Sequence, residues 1–179
     1  WSKPVLANVR YGNVIKRVMI IGGGYDQCYE NPNFKLGATG LTYPTGCNSK
    51  TTAKGNAVYM VDASNGDLIW SATYDSSAVD TDGKKYLKHS IVSRISTLDR
   101  DADGLVDHLY FGDLGGQIFR IDLNNKATTS SELGKRVTRL ANLASAITDT
   151  GYTSSNTYLD ENAPRFYEPL TVTIHDEGG

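Results

Sequence analysis

One octapeptide pattern recurs at a spacing of 60 residues. Gly55-Asn56-Ala57-Val58-Tyr59-Met60-Val61-Asp62 aligns with Gly115-Gly116-Gln117-Ile118-Phe119-Arg120-Ile121-Asp122. A repeated unit that cannot bury its apolar face alone must stack against its copy, so the recurrence limits the chain to architectures built from successive like units. The environment repeats too. An apolar run closing in glycine precedes each copy, Val18 to Gly23 and Leu109 to Gly112, and ahead of those lie Pro4 to Val9 and Val92 to Thr97. After the first copy, Ala63-Ser64-Asn65-Gly66 leads into Asp67 to Ala72. Asn-Gly between two apolar runs is a strong hairpin cue. Over 131–149, Val137, Leu140, Ala141, Ala144 and Ile147 have helical spacing, but the repeat position makes Arg136 to Leu143 the fourth strand of the second unit.

Each unit therefore reads strand, strand, strand, turn, strand. The expected fold is all-β: part of a modified β-propeller, with four-stranded antiparallel blades and long inserted loops. A blade takes ~40–50 residues and a ring needs ~4–8 blades, so 179 residues are expected to be a single fragment of a larger propeller. The units are 1–74, with an insertion at 27–54, and 90–144; a third is expected to start at 165–176 with Pro169 to Ile174. Further insertions lie at 75–89 and 145–163. Trp1-Ser2-Lys3-Pro4, with neither an initiating Met nor a leader, reads as a cut through a longer protein, as does the other end.

Composition removes several functions. Eighteen Lys and Arg against 20 Asp and Glu give a net charge of −2, and no basic run appears. That balance argues against nucleic-acid binding by phosphate neutralisation. The longest apolar run, Val18 to Ile21, falls far short of the ~18 residues of a membrane span. Cys28 and Cys47 sit in polar, loop-like settings, Tyr29-Glu30-Asn31-Pro32 and Gly46-Cys47-Asn48. Buried free cysteines keep apolar company, so the pair reads as a disulfide stapling the insertion, which implies an oxidising compartment and export.

The strongest chemical signal is Asp99-Arg100-Asp101-Ala102-Asp103-Gly104-Leu105-Val106-Asp107. Carboxylates at positions 1, 3 and 5 converge on one side of a tight loop. Glycine at 6 permits the sharp turn, the carbonyl of Leu105 stands at 7, and Asp107 adds a carboxylate at 9. These hard oxygens in this order suit Ca²⁺, with Asp99, Asp101, Asp103, Leu105 and Asp107 as ligands; Mg²⁺ seldom finds its strict octahedron in an all-protein cage. An EF-hand would carry Glu at position 12, which is Tyr110, and would need flanking helices where strands are expected. The loop is thus EF-hand-like, inside a hairpin.

Other candidates are weaker. Asp80-Thr81-Asp82-Gly83 continues into Lys84-Lys85, cations where ligands are needed, and reads as a surface turn. His89, His108 and His175 have no Cys or Glu at ligand spacing. Gly22-Gly23-Gly24-Tyr25-Asp26 lacks the Lys-Ser/Thr and the helix of a phosphate loop. No Gly-x-Ser-x-Gly elbow or paired catalytic carboxylates appear, and an enzyme is not expected.

A succession of motifs resembles a known family. Trp1-Ser2-x-Pro4, Gly22-Gly23-Gly24-Tyr25-Asp26, Gly55-x-x-Val58-Tyr59-x-Val61-Asp62-x-x-x-Gly66-x-x-x-Trp70, the calcium-type loop running into Tyr110-x-Gly112-Asp113-Leu114-Gly115-Gly116-Gln117, and Arg165-Phe166-Tyr167-x-Pro169 resemble the C-terminal propeller of the PilC/PilY proteins, type IV pilus biogenesis factors and tip-associated adhesins. The resemblance covers roughly 1–26, 55–72, 90–123 and the closing segment. It implies a modified seven-bladed propeller whose Ca²⁺, held at Asp99, Asp101, Asp103, Leu105 and Asp107, influences pilus extension, retraction and twitching motility. It also implies export to the periplasm, outer membrane or pilus tip, and pilins, minor pilins or host-surface ligands as partners. Two rivals remain. A quinoprotein dehydrogenase propeller would carry the Asp-x-x-x-Gly-x-x-x-Trp signature in nearly every blade, and one clear copy is present. An integrin-like propeller would repeat the calcium loop.

Overall fold

The structure, a computed structural model, describes residues 2–37, 42–144 and 164–174. The β-branched runs form strands and the glycines end them. Val5–Tyr11 (β1), Val14–Gly22 (β2), Val58–Asp62 (β3) and Leu68–Ala72 (β4) make one sheet in that order. Ser96–Leu98 (β5), His108–Gly112 (β6), Gln117–Leu123 (β7) and Gly134–Asn142 (β8) make a second, also in sequence order. All neighbours are antiparallel. Two such meanders, each a four-stranded sheet, fit a two-sheet sandwich and a pair of adjacent propeller blades alike.

The repeat survives at the level of register. Gly22 pairs with Val58 and Val18 with Asp62, as Gly112 pairs with Ile118 and His108 with Asp122. The stretch of mixed helical and strand signal resolves as strand up to Asn142, because its backbone completes the ladder of β7; Ile147 lies outside the described residues.

Two boundaries differ from expectation. The opening strand of the second unit is Ser96–Leu98, not Val92 to Thr97. Backbone groups ahead of it are committed to the first unit: Ile91 donates to the Gly55 carbonyl, its own carbonyl accepts from Gly24, and the Ser93 carbonyl accepts from the Ser2 hydroxyl. Pro169 to Ile174 forms no strand ladder among the described residues. In both sheets the opening strand pairs with the strand that follows it, and the residues following 174 are outside the described set. The Ser96 hydroxyl donates to the Leu170 carbonyl.

One apolar core runs through both sheets and holds Val18, Ile20, Met60 and Trp70 from the first with Leu109, Phe111, Phe119 and Val137 from the second. Phe111 and Phe119 stack with centroids 5.3 Å apart. Burying each such side chain is worth ~1.5–3 kcal/mol. The sheets meet where Trp70, only 8% exposed, lies on Gly134; a Cβ there would stand 2.0 Å from Trp70 Cζ2.

The insertion builds its own small core from Cys28, Tyr29, Phe34, Tyr43, Cys47, Ala53 and Leu114. Cys28 and Cys47 are bonded, with Cα atoms 5.6 Å apart and a sequence separation of 19. A loop of that length gains about 3 kcal/mol from closure. The disulfide is compatible with an exported protein. Gly22 and Gly23 serve packing: a Cβ on Gly22 would meet the Ile91 carbonyl at 2.5 Å, and one on Gly23 would meet the Gly55 carbonyl at 2.7 Å. No helix among the described residues is long and apolar enough to cross a membrane.

Candidate metal centre

Residues 99–107 connect β5 to β6, and the Asp107 amide donates to the Leu98 carbonyl at 2.9 Å to close the base of the loop. Carboxylates curl the backbone by accepting from nearby amides. Asp99 Oδ2 accepts from Gly104 at 2.8 Å, Asp101 Oδ1 from Asp103 at 3.3 Å, Asp103 Oδ1 from Leu105 at 2.8 Å, and Asp107 Oδ2 from Arg100 at 2.8 Å. Gly104 takes the left-handed φ of +86° that its position in the turn requires, and Ala102 adopts φ 60°. Leu105, 2% exposed, and Val106 sink their side chains into the protein and peg the loop.

Asp99, Asp101 and Asp107 come together, each with a carboxylate oxygen within 4.8 Å of the others. Asp103 lies outside that group and spends Oδ1 on the Leu105 amide. Asp99 Oδ1 is buried without a hydrogen-bond partner. An unpaired buried acceptor carries a desolvation cost of ~1–3 kcal/mol, more if charged. Adjacent carboxylates add repulsion of ~1–4 kcal/mol per pair at 4 Å, for a dielectric between water and a protein surface. A hard divalent cation would remove both penalties, and an all-oxygen donor set of this kind fits Ca²⁺. The Leu105 carbonyl follows at the seventh position.

The loop is wired to the other sheet, which sequence reasoning did not anticipate. The Val106 amide donates to the Asn8 carbonyl of β1 at 2.9 Å. Asn125 Nδ2 donates to the Val106 carbonyl at 3.0 Å and reaches Asp107 Oδ1 at 3.4 Å, while Asn125 Oδ1 accepts from the Arg10 amide at 3.0 Å. Asn125 thus joins the loop, β1 and the β7–β8 turn. Asn125 stands 60 residues after Asn65, but Asn65 bonds Asp67 within its own turn, so the repeat marks a turn residue and not the bridge.

Several other titratable groups among the described residues are engaged in structural contacts. Asp62 and Asp122 occupy the same repeat position. Asp62 caps its turn through the Ser64 hydroxyl and amide and pairs with Lys16 at 3.0 Å; these partners hold its carboxyl down to about 2. Burial pushes the Asp122 carboxyl up, but Arg136 at 2.7 Å, Arg120 at 2.7 Å and His108 at 2.9 Å outweigh it and keep it below the usual range. Burial pushes Asp113 up to about 7 although three donors from Gly115 and Gln117 favour its charged form. His89 Nδ1 meets the Tyr29 hydroxyl at 2.7 Å, and burial, with Lys88 nearby, lowers it to about 4. Asp82 caps the short 3-10 turn Gly83–Tyr86 and Lys85 pairs with Asp80, a surface turn as read from the sequence. His175 lies outside the described residues.

No family model matches the chain, and no curated protein matches it. Among solved structures, the C-terminal domain of Pseudomonas aeruginosa PilY1 is similar at a TM-score of 0.31 and 17% identity, over 67% of this chain and 29% of that one. The chain therefore spans less than a third of that domain, and a likeness this slight decides neither fold nor function.

Proposed function

We propose that the chain is a calcium-binding segment of a β-propeller in a type IV pilus tip-associated protein, acting in pilus biogenesis, adhesion and control of twitching motility. The calcium reading is carried by Asp99, which has a buried, unpartnered Oδ1 and belongs to the group of carboxylates formed with Asp101 and Asp107. The pilus assignment rests on the motif succession from Trp1 to Pro169. Partners would be pilins or minor pilins and host-surface ligands, met in the periplasm, at the outer membrane or at the pilus tip.

The module is read as regulatory and not catalytic. A catalytic metal keeps an open position over a pocket, whereas here the expected ligands come from one short loop. Its buried acid and imidazole, Asp113 and His89, hydrogen-bond to backbone amides, an amide side chain and a phenol. Through Val106 and Asn125 the loop also reaches β1, so filling or emptying it would tighten or loosen the seam between the two sheets. The test is an Asp99→Ala change in the whole protein in cells that display pili. Altered pilus display or twitching is expected, with the propeller still folded. Unchanged motility in a variant shown to have lost calcium would refute the regulatory role.

A further inference from the structure

The stapled insertion, Val92 and the segment around Tyr167 enclose a cleft of about 590 Å³ lined by Tyr25, Gln27, Glu30, Lys54, Val92 and Tyr167. That volume is typical of small-molecule sites, which run ~300–1,000 Å³. None of these residues lies in a strand, so the cleft offers no sheet edge for an extended peptide to join.

The walls are held from behind. Gln27 is flanked by Asp26, fully buried, and by Cys28, bonded to Cys47. The Lys54 amide donates to Asp26 Oδ2 at 2.7 Å. Tyr167 follows two anchored residues. Phe166 fills the space over Gly112, where a Cβ would stand 2.3 Å from its ring. The Arg165 guanidinium donates to the carbonyls of Tyr29 and Pro32 at 2.8 Å each, and lies 5.2 Å from the Tyr29 ring centroid. Tyr167 itself remains 51% exposed at the mouth. Burial, then Tyr167 and Glu30, raise the Tyr25 phenol above its ordinary value.

We infer that this cleft binds a neutral carbohydrate, one or two pyranose rings. A pyranose has an apolar C–H face and a rim of hydroxyls that both donate and accept. Tyr25 and Tyr167 supply aromatic surface for the former. Gln27, Glu30 and Lys54 supply amide, acceptor and donor for the latter, and one carboxylate against one ammonium leaves little net charge to favour an ionic ligand. The cleft shares no lining residue with the aspartate loop.

The test is saturation-transfer NMR on the full chain with glucose, galactose, N-acetylglucosamine and lactose, beside a neutral tripeptide of similar size. Transfer to ring C–H protons of at least one sugar is expected, with weakening by about tenfold in Tyr167→Ala. Glu30→Gln, an exposed substitution that keeps the shape, should change which sugar is preferred while the melting temperature stays put. Transfer to none of the sugars, equal transfer in the Tyr167→Ala and parent chains, or transfer to the tripeptide alone would overturn the assignment.

Discussion

Gly134→Ala should weaken the seam between the sheets. Gly134 opens β8 without a left-handed φ, so alanine is acceptable to the backbone and, taken alone, would stabilise a strand by ~0.5–1 kcal/mol. The obstacle is Trp70. The added Cβ would stand 2.0 Å from Cζ2, 2.2 Å from Cε2 and 2.7 Å from Nε1 of a ring that is almost fully buried. Ordinary carbon contacts begin well over an ångström further out, so the indole must tilt and drag the core with it. Overpacking of this kind costs ~1–3 kcal/mol, which against that gain leaves a net loss of up to about 2.5 kcal/mol, and the depth of Trp70 in the core places it in the upper part of that range. Urea unfolding followed by far-UV circular dichroism, a probe that does not depend on Trp70, should show a lower midpoint with an unchanged slope. In a Trp70→Leu background the same glycine change should be neutral or stabilising, because the obstacle is gone, and the coupling in the double-mutant cycle isolates the clash. A Gly134→Ala chain as stable as the parent with Trp70 in place would refute the packing argument.

Two further outcomes follow from the buried groups. His89, low in the fold because it is buried, should contribute stability that is present above its unfolded value near 6.5 and lost as pH falls through about 4. Asp113, raised to about 7, acts in the opposite sense over the same range, so the informative quantity is the stability difference between the parent and His89→Gln. That difference should shift against the parent by up to about 3 kcal/mol between pH 7 and pH 4, and a pH-independent difference would contradict it. For Cys28 and Cys47, alkylation before reduction should modify neither, and mild reduction should loosen the insertion at a cost of about 3 kcal/mol; two thiols free in fresh material would contradict the pairing.

The sheets were legible where neighbours in sequence decide the structure. Val18 to Gly22, the hairpin of Val58 and Trp70, and the copy ending in Asp122 formed as the repeat required. So did the cysteine pair, whose polar setting argued against free buried thiols. What escaped was set by distant partners. Ile91 looks like the approach to a strand, yet its amide belongs to Gly55 and its carbonyl to Gly24. The roles of Asn125 and Arg165 have no local signature. One bridges the loop to β1, and the other holds carbonyls more than a hundred residues away.

The loop of Asp99, Asp101, Asp103, Leu105 and Asp107 is the centre of the account, and calorimetric titration of the full chain with calcium tests it most directly. One binding event is expected, with a much weaker response to magnesium. It should be lost in Asp99→Ala, which removes the unpartnered buried oxygen, and in Asp101→Ala, which removes a converging carboxylate. No calcium-specific heat in the parent, or binding undiminished in either variant, would contradict the account.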